Sequence, residues 1–175
     1  GNWPGVTVEK RSGTFYFKGK KNKEEGIEIV DLPGIYSLSP YTPEEVISRN
    51  YILNEKPDVV INVLDGTNLE RNLYMTTQIM EMDVPVVVAV NMMDTVAENG
   101  QSIDLQGLSK VLNVPVLGIS ALRQKGLEDL MKAAQKASKT PRKGVSVLKQ
   151  DEILSQARSL YEESGVSSPL FHATK

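Results

Sequence analysis

The sequence predicts an α/β fold, a mostly parallel sheet with helices on both faces. Three observations predict it. Short, continuous apolar runs recur along the chain, at 59–64, 86–90 and 116–119. Pro57, Pro85 and Pro115 stand just ahead of them. Helix-length amphipathic segments separate them. Uninterrupted β-branched runs are typical of parallel strands covered on both faces, and strand–helix–strand alternation implies right-handed crossovers in a doubly wound sheet. A length of 175 residues suits one domain. A hydrophobic fraction of 40% with 24% charged residues excludes wholesale disorder, collagen-like repeats and a coiled-coil rod. The net charge of -2 lacks the basic excess of a general nucleic-acid binder, so no nucleic-acid partner is expected. With 0 Cys and 1 His, disulfide scaffolds, thiol chemistry and His-rich metal sites are excluded, which suits a reducing compartment. No apolar run approaches the ~18–20 residues needed to cross a bilayer.

The elements follow in order. Residues 13–17 and 27–30 read as two strands of an antiparallel hairpin at the sheet edge. The lysine-rich connection between them is interrupted by Glu24 and Glu25, and reads as a solvated hairpin tip. Thr42 is a plausible N-cap for a helix over 43–54, with Pro43 in its first turn. The run at 59–64 is the first buried strand. Residues 68–82 place Leu69, Leu73, Thr76, Thr77 and Met80 on one helical face. Strand 86–90, a short helix over 105–112, strand 116–119 and a helix over 127–137 complete the alternation. A polar linker with Pro141 and Gly144 follows, then an amphipathic helix over 151–164 and a loosely patterned tail.

Three short motifs stand at strand ends, where α/β folds gather ligands. Asp31, Leu32, Pro33 and Gly34 follow the 27–30 strand. The carboxylate can reach a Mg²⁺, and the Gly amide can meet a terminal phosphate oxygen. A D-x-P-G tetrapeptide is also an ordinary turn. Asn91, Met92, Met93 and Asp94 follow the 86–90 strand. An aspartate there can accept two hydrogens from N1 and the exocyclic amine of guanine, a pair that adenine does not offer, and Asn91 can tie neighbouring loops together. Ser120, Ala121 and Leu122 follow the 116–119 strand, where the Ala121 amide can donate to the guanine carbonyl oxygen. Each tetrapeptide alone is a weak signal. Their order and spacing together are a strong one.

With these motifs in this order the chain resembles the translation-factor-like GTPases, and most closely the cytosolic G domain of the ferrous iron transporter B (FeoB) family. The likeness rests on residues 1–9 (GNWPGVTVE), 31–38 (DLPGIYSL), 65–74 (DGTNLERNLY) and 91–94 (NMMD). It covers roughly residues 1–137. It implies a three-layer P-loop GTPase sheet of the Ras-like, TrmE-Era-like kind, with flanking helices. It implies that Gly5, Val6, Thr7, Val8 and Glu9 belong to switch I, with Thr7 closing on Mg²⁺ and the γ-phosphate. Asp31 to Gly34 match switch II, with Asp31 toward the metal and Gly34, with Thr7, serving the hydrolytic step. Asn91 to Asp94 and Ser120 to Leu122 match the two guanine loops. GTP or GDP and Mg²⁺ are the implied cofactors. Potassium is an activating ion in the family, but the Asn that holds it there lies in the phosphate loop, outside these residues. The implied partners are a transmembrane permease and a helical domain of the same protein. The implied location is the cytoplasmic face of a bacterial inner membrane, and an oligomer is compatible with it.

Three departures from the general GTPase pattern stand out. Ile35 follows Gly34 where Ras-like proteins carry a water-orienting Gln, so switch main-chain groups are expected to position the water, with slow intrinsic hydrolysis. Met92 replaces a base-packing Lys. No G-x-x-x-x-G-K-[ST] phosphate loop occurs anywhere in the 175 residues. The sequence therefore reads as a fragment that begins inside switch I, lacking the first strand, phosphate loop and first helix. The expected layout is a G domain over 1–138, a linker over 139–150, and the start of a helical domain with a tail over 151–175. Two other readings stand beside this one. The chain could be a GTPase-derived binding module without turnover, or an Era-like ribosome-associated GTPase, which the net charge of -2 and the absence of a basic appended domain disfavour.

Several conspicuous residues read as structural. Trp3 is either a lid over the nucleotide or an anchor for its own loop, with the anchor favoured. Tyr36 and Tyr41 belong to switch II. Arg71 sits on a helix surface and is not an arginine finger. Met75, Met80 and Met82 are packing residues, and His172 is solvated.

Overall fold

The computed structural model describes residues 1–18, 21, 23–139 and 155–156. The chain forms two compact units, one of Gly1–Lys56 and one beginning at Pro57.

In the first unit, strands β1 (Arg11–Lys18) and β2 (Glu24–Asp31) pair antiparallel, with Phe15 opposite Ile27 and Arg11 opposite Asp31. The expected hairpin is present. It forms a two-stranded sheet of its own rather than the edge of the parallel one. Bordering that sheet would require pairing with β3, β4 or β5, and neither hairpin strand makes it. Helix α1 (Pro43–Asn50) begins as the sequence predicts: the Glu45 amide donates to the Thr42 hydroxyl at 3.2 Å, Pro43 stands at the helix start, and two acidic residues occupy the first turn. The predicted α-helix to residue 54 stops at Asn50. Tyr51–Glu55 widens into a π-helical turn, closed by left-handed Lys56. Among the described residues of this unit the buried ones are few: Trp3, Pro33, Leu38, Ser48 and Ile52.

In the second unit, β3 (Val60–Asp65), β4 (Val86–Asn91) and β5 (Val116–Gly118) form a parallel sheet in the order β3-β4-β5. Val86 to Val90 are all buried, as a strand covered on both faces requires. On one face Val87, Ala89 and Ile119 pack with Leu130 of α5 (Leu127–Ser138), joined by Ile61, Leu117 and Met131. Helix α2 (Leu69–Met80) packs on β3 and β4, and α4 (Leu105–Leu112) on β5, with α3 (Met93–Glu98) against the turn at 66–68. Asn62 of β3 accepts a hydrogen bond from Thr76 of α2, so both buried polar groups are satisfied. Leu73, Thr76 and Met80 are buried on α2 as its periodicity predicts, and Arg71 is exposed.

Helix α3 has no counterpart in the sequence reading. It is six residues long and starts from left-handed Met92 with no side-chain cap, so the usual start signals are absent. A short 3-10 turn, Gly66–Asn68, leads into α2, and Asp65 caps it through the Thr67 amide at 2.8 Å. Gly66 is required there: a Cβ would stand 2.8 Å from the Asn91 carbonyl oxygen. The expected linker beyond residue 139, most of the helix over 151–164, and the tail with His172 lie outside the described residues.

Candidate functional site

The second unit carries one group of candidate residues at the carboxyl ends of its strands. Asp65 and Asn91 are register partners at the ends of β3 and β4, and β5 leads into Ser120 through Ile119. The Asn91 side-chain oxygen accepts the Ala121 amide at 3.0 Å, so Asn91 ties the 91–94 and 120–122 segments together. That amide, expected to serve the guanine carbonyl, has a protein partner in this state. Ser120 is buried, and its backbone pairs in both directions with Lys125, closing a tight turn. Gly126 makes that turn possible. Its φ is +79°, and a Cβ would fall 2.7 Å from the Gly118 carbonyl oxygen.

The Asp94 carboxylate sits at the start of α3. Desolvation is the largest single effect on its pKa and pushes it up, but the other effects together outweigh it. Hydrogen bonds from the Thr95 amide, the Ser120 hydroxyl and its own amide, with the nearby Arg123 charge, hold it below the usual carboxylate value. The group is therefore an ionised, acceptor-only carboxylate at neutral pH. Beside it lies a cavity of about 270 Å³ lined by Met93, Asp94, Gly118, Ser120 and Arg123 among others. Met92 and Leu122 are both exposed, Leu122 at 91%. Apolar side chains left in water beside such a cavity gain by covering a flat ring.

The sequence reading missed Arg123. Its Nε stands 3.2 Å from Asp94 Oδ2, and its Nη2 stands 3.1 Å from Glu98 Oε1. The signal that would have found it is the spacing of Asp94 and Glu98. Four residues apart, they share a face only once α3 is known to be a helix.

The first unit carries the remaining candidates. Trp3, Pro4, Gly5 and Val6 form a tight turn closed by Val6 N–H to Trp3 O at 3.4 Å. Pro4 followed by Gly5 at φ +78° is the residue pair a type II turn demands. Bonds from Trp3 N–H to Val8 O and from Lys10 N–H to Gly1 O, each 2.9 Å, extend it into a small hairpin. Thr7 and Val8 are exposed on it, and Glu9 pairs with Arg11 at 3.1 Å. Trp3 anchors the hairpin. It is 6% exposed, meets Tyr51 edge-on at 5.8 Å between ring centres, and has Lys10 Nζ at 4.9 Å over its ring.

Asp31 ends β2 directly opposite Arg11, where β1 begins. The segments bearing Thr7 and Gly34 therefore leave the β1–β2 hairpin from the same end. Leu32 is half-buried, and the Pro33 carbonyl accepts the buried Ser48 hydroxyl at 3.4 Å, fastening the turn to α1. Gly34 is exposed, and a Cβ there would meet nothing within 4 Å. The Thr7 hydroxyl and Asp31 carboxylate are hard oxygen donors. Donors of this type suit Mg²⁺, which takes few protein ligands and completes its shell with water and phosphate. Among the described residues no group of three or more His, Cys, Asp or Glu side chains forms a cage of its own.

Comparison with known proteins bears on both groups. The family model described as ferrous iron transport protein B matches residues 1–134. A fusion of Fe(2+) transport protein A with Fe(2+) transporter FeoB from Porphyromonas gingivalis is 47% identical over 131 residues, 74% of this chain and 15% of the relative. The Fe(2+) transporter FeoB of Methanocaldococcus jannaschii is 45% identical over 139 residues, 79% of this chain and 20% of the relative. The chain thus spans a small fraction of the relatives it matches. Among solved structures, the FeoB G-domain from Methanococcus jannaschii aligns with TM-score 0.70 at 45% identity, covering 78% of this chain and 84% of that one. A point mutant of S. thermophilus NFeoB bound to GDP aligns with TM-score 0.73 at 45% identity, covering 85% of this chain and 55% of that one. The cytosolic domain of the T. maritima FeoB iron transporter in GMPPNP form aligns with TM-score 0.74 at 38% identity, covering 83% and 56%. The fold is that of the FeoB G domain, a P-loop GTPase fold. From the family match over most of its length, this chain belongs to the ferrous iron transport protein B family.

Proposed function

We propose that residues 1–138 are the guanine-nucleotide-binding part of a GTPase switch that regulates Fe²⁺ uptake by a membrane transporter. The observation that carries this reading is the ionised Asp94 carboxylate beside a cavity, framed by the Asn91–Ala121 tie and the buried Ser120 turn. A fixed carboxylate can accept the N1 and exocyclic amine hydrogens of guanine together, and adenine has no such pair of donors. Met92 and Leu122 flank the ring. Relatives of this fold have been solved with GDP and with GMPPNP, which supports the same ligand class here.

The reaction is transfer of the γ-phosphoryl group of GTP to water, giving GDP and phosphate. Catalysis of this kind is positioning and charge stabilisation, with no covalent intermediate. Thr7 and Asp31 would hold Mg²⁺, which neutralises developing phosphate charge when bound. The Gly34 amide would meet a terminal oxygen. Ile35 cannot orient water, so main-chain groups of the switches do so and intrinsic turnover is slow. Hydrolysis releases Thr7 and Gly34, an order–disorder switch. The phosphate cradle comes from a segment outside these residues, and potassium activation belongs to that loop. The working partners are a helical domain and a permease of the same protein, with this part on the cytoplasmic face of the inner membrane.

Asp94→Asn tests the reading in the chain joined to an upstream first strand, phosphate loop and first helix. Xanthine presents a carbonyl where guanine has its amine, so an Asn amide can donate to it. The variant should lose GDP affinity and gain xanthosine diphosphate affinity. Unchanged GDP affinity would remove Asp94 from the site.

A further inference from the structure

Arg123 is a cation that the functional reading leaves unused. It lines the cavity beside Asp94 and bridges two acids, Asp94 at 3.2 Å and Glu98 at 3.1 Å. Its own amide donates to the Ser120 hydroxyl oxygen at 3.3 Å, which fixes where the side chain starts. The two ends of the Arg123–Asp94 pair differ. The Asp94 side chain is 18% exposed and held by Thr95 and Ser120, whereas the Arg123 side chain is 53% exposed. The carboxylate is the fixed partner, and the guanidinium is the one able to swing.

We propose that Arg123 is a counter-ion latch on the base pocket. With the pocket empty it takes Asp94 Oδ2. When guanine enters it yields that oxygen and remains on Glu98. The inference rests on the guanine reading above. A base that needs both carboxylate oxygens competes directly with Arg123 Nε for one of them. Glu98, one helical turn beyond Asp94 on α3, supplies the second anchor, so opening breaks one ion pair and keeps the other. A partly exposed pair of this kind is weak, because water screens it and the long side chain loses freedom in holding it. Weakness suits a latch, since the incoming base must displace it on every cycle.

The latch and its second anchor give predictions of opposite sign. Arg123→Gln removes the competitor, so association of N-methylanthraniloyl-GDP, followed by stopped flow, should quicken about two- to fivefold. Glu98→Gln removes the second anchor and leaves Arg123 wholly on Asp94, so association should slow by a similar factor. General steering of the anionic nucleotide by surface charge predicts the reverse in both cases. The assays use the chain joined to an upstream phosphate-loop segment. In the nucleotide-free chain, the Asp94 carboxyl carbon followed by NMR should titrate at higher pH in Arg123→Gln than in the wild type. Wild-type binding with unchanged or reversed rates in the two variants would overturn the latch alone. Failure of the wild type to bind guanine nucleotide would overturn the functional reading and the latch with it.

Discussion

Asp94 and Gly34 show how differently two candidate residues depend on the fold. Asp94 is set by its neighbours. Desolvation raises its carboxyl, and three hydrogen bonds with a nearby cation outweigh that and hold it below its ordinary value. A carboxyl with a lowered native pKa stabilises the folded state above its unfolded value, about 3.9, and that contribution is lost as pH falls through the lowered native value. Guanine affinity should therefore stay level, as far as Asp94 governs it, from pH 8 down to about 5. A denaturant midpoint that falls between about pH 5 and 3 in the wild type should fall less in Asp94→Asn. Equal acid sensitivity of the two would show that Asp94 is not the group responsible. Gly34 is the opposite case. No positive φ and no close neighbour require a glycine there. Gly34→Ala should leave stability within about 0.5 kcal/mol. It should lower turnover in the phosphate-loop-bearing protein if the backbone must approach a phosphate oxygen closely. An unfolding midpoint that drops with the activity would make the glycine structural.

Elements differ in how openly the sequence declares them. β4 is legible because burial on both faces leaves an unbroken run, Val86 to Val90, that only a covered central strand tolerates. The start of α1 is legible because Thr42, Pro43 and Glu45 are chemical start signals. Thr42→Ala should cost about 1 kcal/mol, read as a shift in unfolding midpoint. The segment 1–9 stands out as a motif, but its conformation follows from Pro4 and Gly5. Gly5→Ala places a Cβ in the left-handed region and should cost about 1–2 kcal/mol of local stability. Trp3, the single tryptophan, makes this visible: its emission should shift to the red as the anchor against Tyr51 loosens. An unshifted spectrum would mean that the hairpin holds without its turn. What stays hidden has physical reasons. Helix α3 has six residues and an uncapped, left-handed start, so its apolar spacing of Met93, Val96 and Ala97 is too brief to stand out. The π-helical turn at Tyr51–Glu55 differs from an α-helix by one residue per hydrogen bond, a change no side-chain pattern announces. The base loops are readable from residue types, whereas Arg123 and the Asn91–Ala121 tie depend on how those loops meet.

At the scale of the whole chain, the balance of binding energy decides what residues 1–175 can do by themselves. On the proposed reading, Asp94, Ser120, Met92 and Leu122 would contact the base. Thr7 and Asp31 would be donors for a metal. No G-x-x-x-x-G-K-[ST] motif, the usual source of the amide cradle, the Lys and the hydroxyl of a phosphate loop, occurs in the 175 residues. Charge-assisted hydrogen bonds of that kind are worth about 1.5–3 kcal/mol each. Removing several takes away most of a micromolar affinity, about 8.2 kcal/mol in total. The sheet carries a matching gap. β3 pairs with β4 on one edge and with no strand on the other among the described residues, and Val63 is 53% exposed on the face that α5 covers elsewhere. An unpaired strand edge and a bare apolar face are costly to leave in water, and a strand and helix packed there would cover both. Residues 1–175 alone should therefore show no saturable binding of a fluorescent guanine nucleotide and no GTP turnover, and should unfold at low denaturant. Joining a first strand, phosphate loop and first helix ahead of Gly1 should restore micromolar binding and raise the unfolding midpoint together, because one addition meets both deficits. Saturable micromolar binding by the isolated chain would place the phosphate site within these residues and overturn this account.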